Sequence, residues 1–354
     1  MTTSLQERSS RPVAIWLLVG VGMIIIQILL GGITRLTGSG LSITEWNVVT
    51  GALPPLNEKQ WLMEFEKYRQ TPQFRLLNFD FTISDFKSIF FWEWFHRVWA
   101  RLIGFVFIIP FVWFLFTKQF KKQMVKPMLI LFLLGALQGA IGWIMVASGL
   151  TGDAIYVKPT KLALHFVFAL GLLTYTFWFA LELLIPKENR VDNKLAAKKI
   201  YWILGILFLQ LTYGALMAGH KAATAAPTWP DINGKLIPQG LVRASEGWLN
   251  WIDNTIAVHF VHRGLAYLLL VLICWLAYSI KDVKCTKLFQ QIKWLPLVIV
   301  FIQVLLGIFA VLTSLQIVPG SWGMFEWIAQ LHQLVAMLLL MSLVLLLYFV
   351  RTKK

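Results

Sequence analysis

Charge is scarce in this chain. Asp, Glu, Lys and Arg make up 14% of its 354 residues, where a soluble domain carries about a quarter. That scarcity argues against water as the main solvent. Cysteine is nearly absent: Cys274 lies in an apolar run and Cys285 in a Lys-rich segment. With no CxxC pattern, neither a disulfide framework nor a thiolate zinc site is expected. Acidic residues are fewer than basic ones, 17 against 32, for a net charge of +15. The basic residues sit in short segments between apolar stretches, with no basic face and no nucleic-acid motif, which excludes nucleic acid as the partner. Arg8 and Arg11 precede the first apolar run without a small-residue cleavage site, so that run reads as a retained membrane helix rather than a signal peptide.

What fills the chain is apolar, 58% of all residues. A bilayer crossing takes about 20 such residues. Stretches of that length fall at 13–35, 87–116, 126–147, 160–185, 200–219, 254–280, 294–314 and 325–350. Eight crossings put both termini on one side. More than half of the 32 Lys and Arg, among them Arg8, Arg11, Lys118, Lys122, Lys187, Arg190, Lys198, Lys281, Lys293, Arg351, Lys353 and Lys354, lie in the tails and in the second, fourth and sixth connections. The seventh connection has no basic residue and the third only Lys158 and Lys161. By the positive-inside rule the termini are cytoplasmic, in a bacterial inner membrane. Two longer loops, 36–86 and 220–253, then lie outside. The first holds a helix that Asn57 can cap, with Gln60 at the third position and Trp61, Leu62, Phe65 and Tyr68 as an apolar stripe. The stripe suits a surface helix lying on the bilayer, or else a lid over an outward-facing site.

The chain also repeats itself. Gln27…Gly31 matches Gln210…Gly214, and Trp46 matches Trp229, both at an offset of 183. Glu93-x-x-His96-Arg97 matches His259-x-x-His262-Arg263 at 166, Gln138…Gly142 matches Gln303…Gly307 at 165, and His165 matches His332 at 167. The change in offset reflects a longer first outer loop. Each half has four spans, so the halves share one orientation. The expected fold is an all-α integral membrane protein whose eight transmembrane helices form two parallel-repeat four-helix bundles, residues 1–190 and 191–354.

Four of the six histidines, His96, His165, His262 and His332, fall on the second, fourth, sixth and eighth spans, several residues in from the outer end. Ionisable groups within a membrane are costly and usually functional. Two imidazoles from facing helices of a bundle suit one haem iron. The pairs would be His96 with His165 and His262 with His332. Phe95, Trp99, Phe166 and Phe168 offer an apolar slot at the first pair, and Gly104, Gly171 and Gly264 offer room. Arg97 and Arg263 are candidate cations for the propionates. Packing histidines are the bland alternative, and zinc is disfavoured for want of a carboxylate or thiolate set. Glu93 stands one helical turn before His96, where it could handle a proton or developing charge, or simply pair with Arg97 or Arg101. His259 takes its place in the second half, as a polar neighbour. His220 lies beyond the fifth span and is expected to be solvated.

The run Gly31-Gly-Ile-Thr-Arg-Leu-Thr-Gly-Ser-Gly-Leu-Ser42, followed by Trp46 and Pro54-Pro55, resembles the first span and loop of haem A synthases. Glu93-x-x-His96-Arg97, His262-Arg263-Gly264 and Gln330-Leu-His332-Gln333 resemble that family's histidine helices. The likeness covers nearly the whole chain and points to the mitochondrial and Gram-negative branch, which lacks the outer-loop cysteine pair. It implies oxidation of the C8 methyl of haem O to the formyl group of haem A. It further implies haem b as resident cofactor on His262 and His332, the substrate haem on His96 and His165 with Arg97 nearby, and Glu93 as the catalytic glutamate. Expected partners are haem O, the haem O synthase that supplies it, an electron donor of unknown identity, the bilayer and a second copy of the chain. A di-haem cytochrome b electron carrier and a haem transporter or chaperone with Trp229 and Trp248 in its capture loop are the competing classes. Histidines gathered toward one face disfavour electron transfer across the membrane.

Overall fold

A computed structural model describes residues 3–45, 50–284, 286–318 and 320–351. Trp46, Cys285, Lys353 and Lys354 lie outside these, as do the side chains of Arg8 and Lys187. The described residues are helical, without a named strand. In chain order the helices are α1 (Thr3–Leu36), α2 (Glu58–Arg69), α3 (Pro72–Leu77), α4 (Ile83–Phe116), α5 (Lys122–Ala147), α6 (Pro159–Leu184), α7 (Lys194–Gly219), α8 (Asn250–Asp253), α9 (Thr255–Ile280), α10 (Lys287–Ile292), α11 (Leu295–Leu312) and α12 (Met324–Val350). Eight stretches among them are long and apolar enough to cross a membrane. They coincide with the eight spans expected from hydropathy, and the protein is a multi-pass membrane protein.

Helix starts follow local chemistry. The second span begins at Ile83 rather than 87 because Thr82 and Asp85 form a capping box, with Asp85 Oδ2 accepting from Thr82 N at 2.9 Å. Asn57 caps α2 as expected by accepting from Gln60 N at 3.0 Å, and Gln60 Oε1 accepts from Leu56 N at 2.7 Å. Pro159 opens α6 at a position where its missing N–H costs nothing. Pro110 and Pro127 sit inside α4 and α5, as neighbouring helices allow in membrane spans.

The packing pairs recur between halves. In the first, α1 packs along α4 and α6, and α5 along α6; in the second, α7 packs along α9 and α12, and α11 along α12. The halves meet through α6 with α7, α6 with α12 and α1 with α12. One apolar core runs through this seam, with Ile24, Leu173, Ile203, Ile273 and Leu343 buried together. Gln330 Nε2 donates to Leu29 O at 2.9 Å and Gln333 Nε2 to Ile28 O at 2.8 Å. Gly32 permits this approach, since a Cβ there would meet both glutamine side chains. Small residues and side-chain amides are the usual means of holding membrane helices together.

The loops sort to two ends. At one end, Val191 N bonds Phe349 O and α10 lies against the end of α12, so the fourth and sixth connections gather around the C-terminal end of α12. At the other end, Gln73 Nε2 donates to Gly38 O within the first long loop, and Ser314 Oγ of the seventh connection donates to Ala223 O of the second.

The stripe of α2 faces α4 rather than lipid. Trp61 meets Phe90 edge-on at 5.0 Å and Tyr68 stacks on Phe86 at 5.3 Å, while Leu62 stays exposed. The cause is the extra turn of α4, which lifts Phe86 and Phe90 toward the loop. Such ring pairs contribute about 0.5–1.5 kcal/mol each. Burial pushes the Tyr68 hydroxyl up to about 12, so it stays protonated and donates to Gln73 Oε1 at 3.1 Å.

Candidate cofactor site

Both histidine pairs line one cavity of about 1850 Å³, bounded by α1, α4, α5, α6, α7, α9, α11 and α12. Pockets for single small ligands span roughly 300–1,000 Å³, so there is room for two large planar groups. The ring centres of His262 and His332 stand 6.5 Å apart. Two imidazoles sharing one iron at bonds of about 2 Å would have ring centres roughly 6 Å apart. Nδ1 of each of these two histidines is buried without a partner. Spacing, unmet polar atoms and an apolar cavity all fit a haem. Among the described residues no three His, Cys, Asp or Glu converge.

Each histidine is met by a neighbouring helix in the same way. Gln27 Nε2 lies 3.1 Å from His96 Nε2 and donates to His96 O at 3.2 Å. Gln138 Nε2 lies 3.1 Å from His165 Nδ1 and donates to His165 O at 3.0 Å. Gln210 and Gln303 stand 3.4 and 3.2 Å from Nε2 of His262 and His332. The sequence marked these glutamines as repeat signals without showing that they touch the histidines. The glycines that make room are likewise Gly31, Gly142, Gly214 and Gly307, each facing a histidine Cε1. Of the three expected to provide that room, Gly104 lines the cavity, and Gly171 and Gly264 do not. Of the four aromatics expected around the first pair, Phe166 lines the cavity. Phe95 packs on Phe91 and Trp99, Trp99 donates to Met23 O, and Phe168 is 36% exposed. For Phe95 helical geometry explains this, because a residue next to a histidine points about 100° away from it.

Glu93 is buried and lines the cavity one turn from His96. Its Oε2 accepts from Ser42 N at 2.7 Å, Ser42 Oγ at 2.7 Å and Ile43 N at 2.9 Å, and its Oε1 from Arg97 at 2.6 Å. These four donors meet about four lone-pair sites. The carboxylate therefore pins the first outer segment to α4. His259, at the equivalent place, is fully buried, and neither ring nitrogen has a partner. His220 accepts no role at the cavity; its Nε2 pairs with Ile252 O at 2.8 Å.

The two arginines after the histidines hold loop backbone. Arg97 donates to Ile43 O and Glu45 O, and Arg263 to Ala226 O, Thr228 O and Asp231 O. Positions 43 and 45 map onto 226 and 228 at the repeat offset, so this tie is itself repeated. Thr228 also bonds the Asp231 side chain and holds its carboxyl below the usual range. Arg35 and Lys221 also line the cavity toward the loops. Arg35 was quoted only within a motif, and nothing in local sequence marks Lys221 as a cavity residue. Trp229 lines the cavity and bonds Tyr267, while Trp248 is exposed.

Fold and site together define a multi-pass membrane protein with two matched pairs of half-buried histidines lining one cavity. The profile of the cytochrome oxidase assembly protein family COX15-CtaA matches residues 14–344. The chain is 40% identical over 343 residues to a haem A synthase of Bradyrhizobium sp. (strain ORS 278), covering 96% of this chain and 91% of that one. It is 42% identical over 311 residues to one of Parvibaculum lavamentivorans, covering 86% and 88%. It is 40% identical over 340 residues to one of Flavobacterium psychrophilum, covering 94% and 96%. The chain belongs to the haem A synthase family and is a membrane oxidoreductase.

Proposed function

We propose that the protein converts haem O to haem A by oxidising the porphyrin C8 methyl to a formyl group, with a different task for each half. Residues 191–354 hold a resident haem b through His262 and His332, and residues 1–190 hold the substrate haem through His96 and His165. The observation that carries this reading is the half-buried pair His262 and His332, spaced for one iron in a cavity that a second histidine pair also lines, in a chain similar to haem A synthases. When bound, the resident haem would supply one-electron redox capacity. The rest is done by this chain. Apolar walls exclude water, Arg35 and Lys221 offer cations for propionates at the loop end, and Glu93 with Arg97 sets a fixed charge pair beside the substrate. Glu93 is the candidate proton acceptor because it is the carboxylate one turn from a substrate ligand. Haem O synthase supplies the substrate, an electron carrier exchanges electrons with the resident haem, and a second copy of the chain is a candidate partner. The Lys and Arg distribution favours an inner-membrane setting with cytoplasmic termini. Co-expression with a haem O synthase followed by pigment extraction tests the reading. Hydroxylated haem and haem A are expected; haem b alone would contradict it.

A further inference from the structure

The four glutamine–glycine pairs are not explained by haem ligation alone. Gln27 and Gly31, Gln138 and Gly142, Gln210 and Gly214, and Gln303 and Gly307 each stand four residues apart, on one face of α1, α5, α7 and α11. Each pair meets one histidine of α4, α6, α9 or α12. A Cβ on the glycine would lie 3.2 Å from Cε1 of His96, 2.8 Å from that of His165, 3.3 Å from that of His262 and 3.0 Å from that of His332. Real Cβ atoms essentially never come as close as at Gly142, and the other three distances are tighter than nine in ten real contacts, so the imidazole edge lies against bare helix backbone. Each glutamine places its amide nitrogen 3.1–3.4 Å from the nearer ring nitrogen. Its Oε1 is buried and without a partner in all four cases. Leaving a buried amide oxygen unmet costs about 1–3 kcal/mol, and four repeats of that cost need a cause.

We infer that these four Gln-x3-Gly pairs position the haem ligands, each glycine fixing the plane of one imidazole, Gln210 and Gln303 serving the ring nitrogen that iron does not take, and Gln27 and Gln138 holding the backbone carbonyl of theirs. This rests on the reading of the four histidines as ligands. An imidazole bound to metal through one nitrogen carries its proton on the other, and the acceptor of that proton fixes ring orientation and raises ligand basicity. At Gln210 and Gln303, whose Nε2 has no carbonyl to hold it, a half-turn of the amide brings the unmet Oε1 to that place; which amide atom faces the ring is an assignment rather than an observation. Gln27 and Gln138 instead keep Nε2 on the carbonyl oxygen of their own histidine, so the glycine contact is common to all four histidines and the glutamine acceptor belongs to the His262–His332 pair. The halves differ beside the iron as well, at Glu93 and His259.

The test uses the purified full chain with its haem b, read by low-temperature electron paramagnetic resonance and by redox titration. Gly307→Ala should turn the His332 ring and shift the low-spin g values. Gln303→Met should raise the midpoint potential and release haem to an apo-globin about tenfold faster. Gln303→Glu keeps an oxygen acceptor and should bring the potential to the wild-type value or below. Gly205→Ala, on α7 with open space around it, should match wild type. Unchanged g values and potential in both Gly307→Ala and Gln303→Met would overturn the inference, and Gln303→Met decides alone if Gly307→Ala does not accumulate. Failure of the underlying reading looks different: wild type lacking a bis-imidazole signal, or His332→Ala retaining it.

Discussion

The two halves hold their histidines alike and treat the neighbouring turn differently. In the first, Glu93 takes four donors and locks Ser42 and Ile43 onto α4. In the second, His259 has its place but no partner, and the arginine one turn on, Arg263, bonds the loop backbone without a carboxylate beside it. A repeat preserves what both sites need, which is ligand geometry, and diverges where the tasks part. Under the proposed division of labour, the buried charge pair Glu93–Arg97 falls in the half assigned to the substrate, and the half assigned to the resident haem has none at that turn.

The largest effect expected is on cofactor content. His262→Ala or His332→Ala should abolish haem b binding, whereas His96→Ala should leave it, as pyridine haemochrome assay of purified protein would show; equal losses would erase the distinction between halves. Next is Glu93→Gln. Loss of a general acid or base typically costs 10²–10⁴-fold, so haem A yield should fall by that order while haem b persists. Both Glu93→Gln and Glu93→Ala remove the charge partner of Arg97, and the Ala variant should lower stability by about 3–5 kcal/mol, measurable as a lower thermal midpoint; an unchanged midpoint in both would show that the carboxylate is not the anchor described. Smaller still, His259→Leu removes two unpartnered polar atoms and should leave haem A yield intact with stability unchanged or raised by about 1–3 kcal/mol; a large loss of product would place His259 in the chemistry. The smallest is Trp61→Ala, which should loosen α2 from Phe90, costing about 1 kcal/mol and exposing residues 58–69 to limited proteolysis.

Much of this was legible in the sequence. Spans, orientation pattern and histidine pairs follow from hydropathy and from intervals that survive in one dimension. The α2 cap was readable because capping is local, at Asn57 and Gln60. What escaped depends on which faces meet. Gln27 and Gly31 register as a repeat, yet only the crossing of α1 with α4 reveals that they clasp His96. Arg97 and Arg263 look like anion binders until the folded loops present carbonyls to them. Phe95 precedes His96 in sequence, but the helix turns it aside.

The division of labour is tested most directly by counting haems in purified His96→Ala co-expressed with a haem O synthase. One haem b per chain with neither haem A nor its hydroxylated precursor is the predicted result. A chain that has lost haem b, or that still yields haem A, would contradict it.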